Sequence, residues 1–534
     1  MKTITTTLLF ALHFTVAFSQ SKIVASDRMG NNYFGESTAV FGNYLITGAS
    51  FHTKDASGGN TLAQAGAAYI YENDGGGNWI EKQKVVASDR NVQDWFGFSV
   101  AIQNNIALVG TILSDTDENG ANPLTDSGAT YVFERDASGN WNQVQKLVAS
   151  DRQGDEHFGY HIAMHGNFAV ISARNSFCAN LGGGSDINAG AAYVFERLSD
   201  GTWVERQKLM SSDREEGDNF GVSVGIYNNI IVIGAYWEAE DETGNNSLYE
   251  AGSAYIFEYN PTLNEWEETQ KIVASDRRSG DSFGGTLYIN EFGIFISSSE
   301  SDYDETGVNY LKSAGAVYVF EKNTTTGTWE ETQKLVASDR GEMAWFGYAL
   351  SSNQEYLYIG ASLEDKNEVS EDSLEYAGAV YIFKKDGSNS WQQIKKIVAP
   401  DRSAGDEFGY SLGAYNDNIV VGAPYQDKDA NNQNNVTNAG AAYVYNISEL
   451  LSTRDVSTTL NMTVYPNPNN GNFNLELGKR INGSLTITDV LGKVRHTETF
   501  ISDNLNINLG LPKGIYFANV RTDEGSSAVK FVVE

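Results

Sequence analysis

The chain has 534 residues, a formal net charge of −32, 53 glycines, 7 prolines and 12% aromatic residues. Such a charge argues against nucleic acid and anionic membrane surfaces as partners and suits an exposed protein that meets cations. Few helix signals and many glycines point to short strands joined by turns.

The N-terminus has Met1-Lys2, an apolar run over 8–18, and Ala17-Phe18-Ser19. A charged start, a short apolar core and small residues before the cut make residues 1–19 a secretory signal peptide, cleaved before Gln20; a buried N-terminal strand is the alternative. The run is too short to span a bilayer, and no other stretch reaches the roughly 18 apolar residues a spanning helix needs. Cys178 is the only cysteine. An exported chain without internal disulfides must be held by a large core, and Cys178 reads as an incidental loop residue rather than a nucleophile.

From Gln20 onward one unit recurs. Its fullest form is Trp141-Asn-Gln-Val-Gln-Lys-Leu-Val-Ala-Ser-Asp151-Arg152, with Phe158-Gly159 beginning six residues after the arginine. The Asp-Arg pairs are Asp27-Arg28, Asp89-Arg90, Asp151-Arg152, Asp213-Arg214, Asp276-Arg277, Asp339-Arg340 and Asp401-Arg402, in steps of 62, 62, 62, 63, 63 and 62 residues. A fixed period marks a repeat architecture. Each period holds four strand-like runs, in the second copy 96–102, 106–110, 129–134 and 141–148. Runs of β-branched and aromatic residues between Gly/Asn/Asp clusters are the strand signal. Four antiparallel strands per repeat, seven repeats and no polar cap predict an all-β fold, a seven-bladed β-propeller over 20–446. The last repeat stops at Tyr445 without its Trp/Gln-Lys strand, and Gln20-Ser-Lys-Ile-Val-Ala25 is a fragment of that strand. Together the two ends complete one blade and close the ring. The Asp-Arg turns and the 15-residue loops between second and third strands, as in 112–126 and 424–438, fall on one face.

Phe-Gly followed by Gly-Ala at the end of the next strand resembles the FG-GAP repeat of integrin-α-like propellers. Phe408-Gly409 with Gly422-Ala423-Pro424 is the full form, and Gly48-Ala49, Gly234-Ala235 and Gly360-Ala361 are shortened ones. In that family a DxDxDG calcium loop sits between the two elements. Here short turns such as Gly166-Asn167 and Asn228-Asn229 take its place, so the family's calcium sites are not carried over.

After Asn446 the pattern breaks, and 447–463 reads as a polar linker. Over 464–534, strand-like runs alternate with Gly/Pro turns, as in a small C-terminal β-sandwich. The order Pro466-Asn-Pro468, Asp489-Val-Leu-Gly492, Gly514-Ile-Tyr516 and a terminal Lys530-apolar strand resembles the type A sorting domain of type IX secretion. That resemblance implies a Bacteroidota-type host, the secretion machinery as a partner, export across the outer membrane and removal of the tail. An ordinary accessory sandwich is the alternative.

Candidate chemistry is sparse. The sevenfold Asp-Arg pairs suit salt-bridging or pinning neighbouring blades. Gly221-Val-Ser223-Val-Gly225 and Gly409-Tyr-Ser411-Leu-Gly413 match a nucleophile elbow, but no helix follows either serine, as that motif requires. His157, His161 and His165 span too great a length of strand for one metal ion. In the 15-residue loops, Asp115, Asp117 and Asn119 of the second copy and Asp302, Asp304 and Thr306 of the fifth place oxygens at alternate positions before a glycine. Calcium loops begin this way, yet Asp and Asn also simply make turns. Ahead of Phe-Gly stand Tyr33, Trp95, His157, Asn219, Ser282, Trp345 and Glu407, preceded by an acid in five copies, Asp94, Glu156, Asp218, Asp281 and Asp406, which are expected to form a second acidic layer on the loop face beside that of the 15-residue loops. Variation inside a fixed frame marks a binding surface, so Tyr33, Trp95, His157 and Trp345 are candidate ligand contacts. Packing between blades is the other reading of the tryptophans.

These features lead to the expectation of a secreted or surface-attached, non-enzymatic binding or adhesion module whose extracellular ligand is a glycan or a protein. The alternative is a hydrolytic or lyase propeller enzyme acting on polysaccharide, although no carboxylate pair stands out in the sequence.

Overall fold

A computed structural model describes residues 20–176, 178–179, 185–186, 188–370, 372–451, 462–489, 493–522 and 525–534. The leader 1–19, the glycine run 182–184, positions 452–461 of the linker and positions 490–492 of the tail motif lie outside the described residues, as does the side chain of Cys178. The chain forms two compact units, Met1–Leu450 and Leu451–Glu534.

The first unit holds seven four-stranded antiparallel sheets, here blades 1 to 7 in order of their inner strands. Blade 2 comprises Phe96–Gln103, Ile106–Thr111, Ala129–Arg135 and Trp141–Leu147, close to the bounds expected from sequence. Middle strands such as Ile230–Ala235 are buried along nearly their whole length, whereas outer strands such as Trp79–Val85 alternate buried and exposed. That difference follows from position, since a middle strand is covered on both faces and an edge strand meets water. The core lies between blades. One cluster, for example, packs Leu108 and Val132 of blade 2 against Phe158, Tyr193 and Trp203 of blade 3.

The ring closes as expected. Gln20–Ile23 pairs with Ala441–Asn446, placing Gln20 opposite Tyr445 and Lys22 opposite Tyr443. A short helix, Ile447–Leu450, continues the propeller, with Ile447 buried and the Leu450 carbonyl accepting a 2.9 Å hydrogen bond from Lys395.

One device repeats in every blade. The Asp of each Asp-Arg turn reaches forward to the next blade and accepts hydrogen bonds from a third-strand tyrosine and an outer-strand lysine. In blade 2, Tyr131 and Lys146 lie 2.6 and 2.8 Å from Asp89. In blade 7, Tyr443 and Lys22 lie 2.8 and 2.7 Å from Asp401. The same pairs hold Asp27, Asp151, Asp213, Asp276 and Asp339. Each lysine also sits 5.2 to 5.8 Å above the ring of its tyrosine, a cation–π contact. That ring in turn packs against the phenylalanine of Phe-Gly, at 5.6 Å for Phe96 and Tyr131. The arginine reaches back to the loop of its own blade. Arg152 donates to the carbonyls of Asp115 and Asn122, and Arg28, Arg90, Arg277, Arg340 and Arg402 do likewise. The Asp-Arg pair thus pins neighbouring blades, the role expected for it.

Further seams join the blades. Gln83 exchanges two hydrogen bonds with the Trp141 backbone, and Gln145, Gln207, Gln270 and Gln333 treat the next tryptophan alike. Phe34 docks beside Gly440 across the closing seam. Gly440 has φ +80°, and a Cβ there would lie 2.1 Å from the Phe34 carbonyl, so only glycine fits.

The second unit is a five-stranded sheet around one apolar core that includes Phe473, Leu485, Tyr516 and Phe531. Its two long strands, Asn472–Asp489 and Val494–Asn508, shift register between Glu476 and Ile481, letting the sheet curve around that core. The Pro-Asn-Pro turn is tied to the last strand: the Asn467 side chain accepts from the Val532 amide, and the Asn469 amide donates to the Val532 carbonyl, at 2.8 and 2.9 Å.

Lys22 is nearly buried against Asp401. Lys22→Ala leaves that carboxylate without its partner, and loss of about 3 kcal/mol is expected. Urea unfolding of the full exported chain measures it. An unchanged midpoint would show that the N-terminal strand does not close the ring.

Candidate functional site

The seven inner strands line a central channel. On the loop-bearing side it opens as a cavity of 350 Å³ lined by residues of all seven, among them Glu36, Phe98, Tyr160, Tyr348 and Tyr410. The residue before Phe-Gly adopts a left-handed backbone in every blade, with φ from 53° at Glu407 to 58° at Trp95. That conformation is costly for a bulky side chain. Here it lets the Phe amide hydrogen-bond the preceding blade, as Phe96 does to the Ala65 carbonyl.

Around this mouth run nine aromatic rings in an unbroken series over five blades. Tyr160 of blade 3 meets Phe98 at 5.3 Å, Phe98 lies near Trp95 at 6.4 Å, and Trp95 meets Phe51 at 5.0 Å. Phe51 contacts Tyr33 at 4.9 Å, and Tyr33 contacts Tyr425 at 5.2 Å. The series continues through Tyr410 and Tyr348 to Trp345 of blade 6, at 6.3, 4.9 and 5.7 Å. All nine are half-buried. In blades 4 and 5 the series is broken: Val222 and Gly285 replace the ring two residues after Phe, and Asn219 and Ser282 are buried. Tyr236 and Trp237 stack at 4.9 Å in blade 4, with Trp237 41% exposed.

Of the four candidate contacts, Tyr33, Trp95 and Trp345 therefore lie in one crescent. His157 is not part of the ring series; its Nδ1 is 3.0 Å from the Asn175 amide. Burial and the Arg174 charge hold His157 below the usual imidazole value. The sequence reading missed two further sets of positions. One is two residues after each Phe, occupied by Glu36, Phe98, Tyr160, Val222, Gly285, Tyr348 and Tyr410; the other follows the second strand and supplies Phe51 and Tyr425. The first set varies inside the fixed frame as the set before Phe does, so the same criterion finds it.

The elbow serines are structural. Ser223 donates to the Gly284 carbonyl and Ser411 to the Gly35 carbonyl, at 2.7 and 2.8 Å, joining adjacent inner strands. His161 occupies the same position in blade 3, where its Nδ1 accepts from the Val224 amide. Burial pushes it down to about 4.

In the loops, Asp117 accepts from the amides of Asn119 and Ala121 and from the Asn122 side chain. Asp304 accepts from Thr306, Val308 and Asn309. Asp115 and Asp302 each accept a backbone amide across the loop, from Asp126 and Ser313. These carboxylates shape their turns. Among the described residues the one triad of acidic groups close enough to share a cation is Asp213, Glu238 and Glu240, with ligand oxygens within 4.8 Å. Lys271 already lies 2.7 Å from Asp213 and 3.3 Å from Glu238.

The acids preceding the crescent position do not form a surface layer, contrary to the sequence expectation. Asp94, Glu156, Asp218, Asp281 and Asp406 are at most 5% exposed. Each caps its own turn, as Asp406 does by accepting from the Ser403 amide. Their side chains serve that turn and so point inward.

The FG-GAP repeat model matches residues 18–71, 79–133, 141–195, 203–257, 266–320, 329–383 and 391–445, so the chain belongs to the FG-GAP repeat family. FG-GAP repeats are generally known as calcium-binding motifs. Residues 463–534 match the secretion system C-terminal sorting domain. The chain is thus exported through type IX secretion to the outer surface or the medium, and among the described residues no helix is long and apolar enough to cross a membrane. No curated protein matches. Similar solved structures include a putative 6-phosphogluconolactonase from Bacteroides uniformis, 9% identical over 72% of this chain and 90% of that one, with a TM-score of 0.44. A second, from Bacteroides fragilis, is 12% identical over 74% and 94% of the two chains, TM-score 0.41. A Lactobacillus plantarum protein is 9% identical over 69% and 86%, TM-score 0.42.

Burial pushes Asp94 up to about 6, Asp281 and Asp406 to about 7, and raises Asp218 and Glu156 as well. These groups hold protons in the folded state that the unfolded chain releases near pH 4, so they favour folding at low pH and lose that contribution as pH rises through 6 to 7. Burial alone would also raise Asp89, Asp276 and Asp339, but hydrogen bonds from lysine and tyrosine outweigh it and hold them low. Their contribution is present above pH 4 and lost on further acidification. Thermal melts should therefore peak at mildly acidic pH and decline toward pH 8, with Asp281→Asn/Asp406→Asn flattening the decline. A melting temperature rising steadily from pH 5 to 8 would contradict this assignment.

Proposed function

We propose that this exported FG-GAP repeat protein is a non-enzymatic binding or adhesion module, and that its ligand, a glycan or a protein, docks on the aromatic crescent at the channel mouth. The observation carrying this reading is the crescent itself: nine half-buried rings from five blades on the loop-bearing face. Aromatic rings with one open face stack on sugars or anchor side chains. Engagement of Ser223 and Ser411 in backbone hydrogen bonds supports the absence of acyl chemistry. Calcium enters only as a weak ligand of the loops, at Asp115, Asp117 and Asn119 and at Asp302, Asp304 and Thr306, where it competes with hydrogen bonds already made.

A glycan array followed by calorimetry tests the reading. Trp95→Ala and Trp345→Ala should each weaken binding roughly tenfold, the equivalent of about 1.4 kcal/mol, without lowering the melting temperature by more than a few degrees. Binding indifferent to both substitutions would remove the crescent as the site.

A further inference from the structure

The crescent departs from its aromatic pattern at the seam of blades 7 and 1, and there it carries two carboxylates. Glu36 stands where the other blades have Phe98, Tyr160, Val222, Gly285, Tyr348 and Tyr410, and Glu407 stands where they have Tyr33, Trp95, His157, Asn219, Ser282 and Trp345. Glu36 lines the cavity and accepts hydrogen bonds from the Ser50 amide and hydroxyl. Glu407 is half-buried, and among the described residues no counter-charge or side-chain hydrogen bond offsets the burial of its carboxyl. Glu36 shares the cavity lining with Tyr410, whose backbone amide donates to the Glu407 carbonyl at 3.1 Å, and Tyr425 bridges the seam, its ring meeting Tyr33 at 5.2 Å and Tyr410 at 6.3 Å.

We propose, resting on the crescent reading above, that this seam is a seat for the ammonium group of an amino sugar, so that the ligand is a polysaccharide bearing free amines. Two half-buried carboxylates among phenol rings form an unfavourable environment when empty and a favourable one around a cation, which gains ion pairing and contact with ring faces together. Burial pushes the Glu36 carboxyl up to about 8 and the Glu407 carboxyl up to about 7. The neighbouring half-buried rings, in edge-to-face and tilted contact along the mouth, offer aromatic surface to successive sugar units. A net charge of −32 draws a cationic polymer toward the protein.

The test is calorimetry of the full exported chain at pH 7 with the glucosamine tetramer, the N-acetylglucosamine tetramer and trilysine. The glucosamine tetramer should bind at least tenfold more tightly than the acetylated one, and Glu36→Gln/Glu407→Gln should remove that preference. Glu216→Gln/Glu265→Gln, which neutralises two exposed glutamates, should keep it. Equal binding of the two sugars, a preference surviving Glu36→Gln/Glu407→Gln, trilysine binding as tight as the amino sugar, or no binding at millimolar concentration would overturn the seat. If an array glycan binds in a Trp95- and Trp345-dependent way while glucosamine does not, the crescent reading stands and the amino-sugar inference falls.

Discussion

The structure depends on the grip of one aspartate on the blade ahead of it. Each Asp-Arg turn leaves an outer strand, and its carboxylate is held by a tyrosine and a lysine that pair across the third and outer strands of the next blade, as Tyr131 pairs Lys146. Three contacts converge on the tyrosine: a hydroxyl bond, a cation over its face and a phenylalanine against its ring. No single one is worth much in an exposed setting, but these lysine side chains are only 4% to 19% exposed, so each partner is costly to remove. Repeated seven times, the grip holds a chain with a single cysteine and no internal disulfide.

This grip also sets the site. The phenylalanine packed on the tyrosine fixes the left-handed residue before it and the channel-lining residue after it. Neither residue takes part in the grip, so both can change from blade to blade without loosening the ring. The spread of chemistry at those positions, from Gly285 to Trp95, is carried on a backbone whose φ changes by only a few degrees at the residue before Phe. Replacing a ring at the mouth alters recognition while leaving the frame intact.

Much of this was legible in the sequence because a period of 62 or 63 residues repeats the same contacts. The blade count, the closing strand, the shared face of the Asp-Arg turns and the loops, and the pinning role of the pair all follow from spacing. The partners of the pair did not: Tyr131 and Lys146 lie about forty and fifty-seven residues beyond Asp89, and only pairing of the strands brings them together. Three crescent members were found by looking for variation within the frame. Phe98, Tyr160, Tyr348 and Tyr410 were missed because that criterion was applied at one position only, and Phe51 and Tyr425 because only the acids of their loops drew attention. The loop acids suggested calcium from alternate spacing, yet Asp117 and Asp304 turn their oxygens to the amides of their own loops. Spacing alone does not distinguish an oxygen facing a cation from one facing its own backbone. The acids before the crescent were expected at the surface for a similar reason, since a turn-capping role depends on side-chain direction.

The most direct test of a frame that is independent of its site compares two variants, Asp339→Asn, which weakens the grip of blade 5's turn on blade 6, and Tyr348→Ala, which opens the crescent in blade 6, measuring unfolding and binding of the array-selected glycan on each. The account predicts that Asp339→Asn lowers the unfolding midpoint while the remaining folded protein binds normally, and that Tyr348→Ala weakens binding with little change in the midpoint. Loss of both properties together in either variant, at a temperature where the protein is folded, would contradict it.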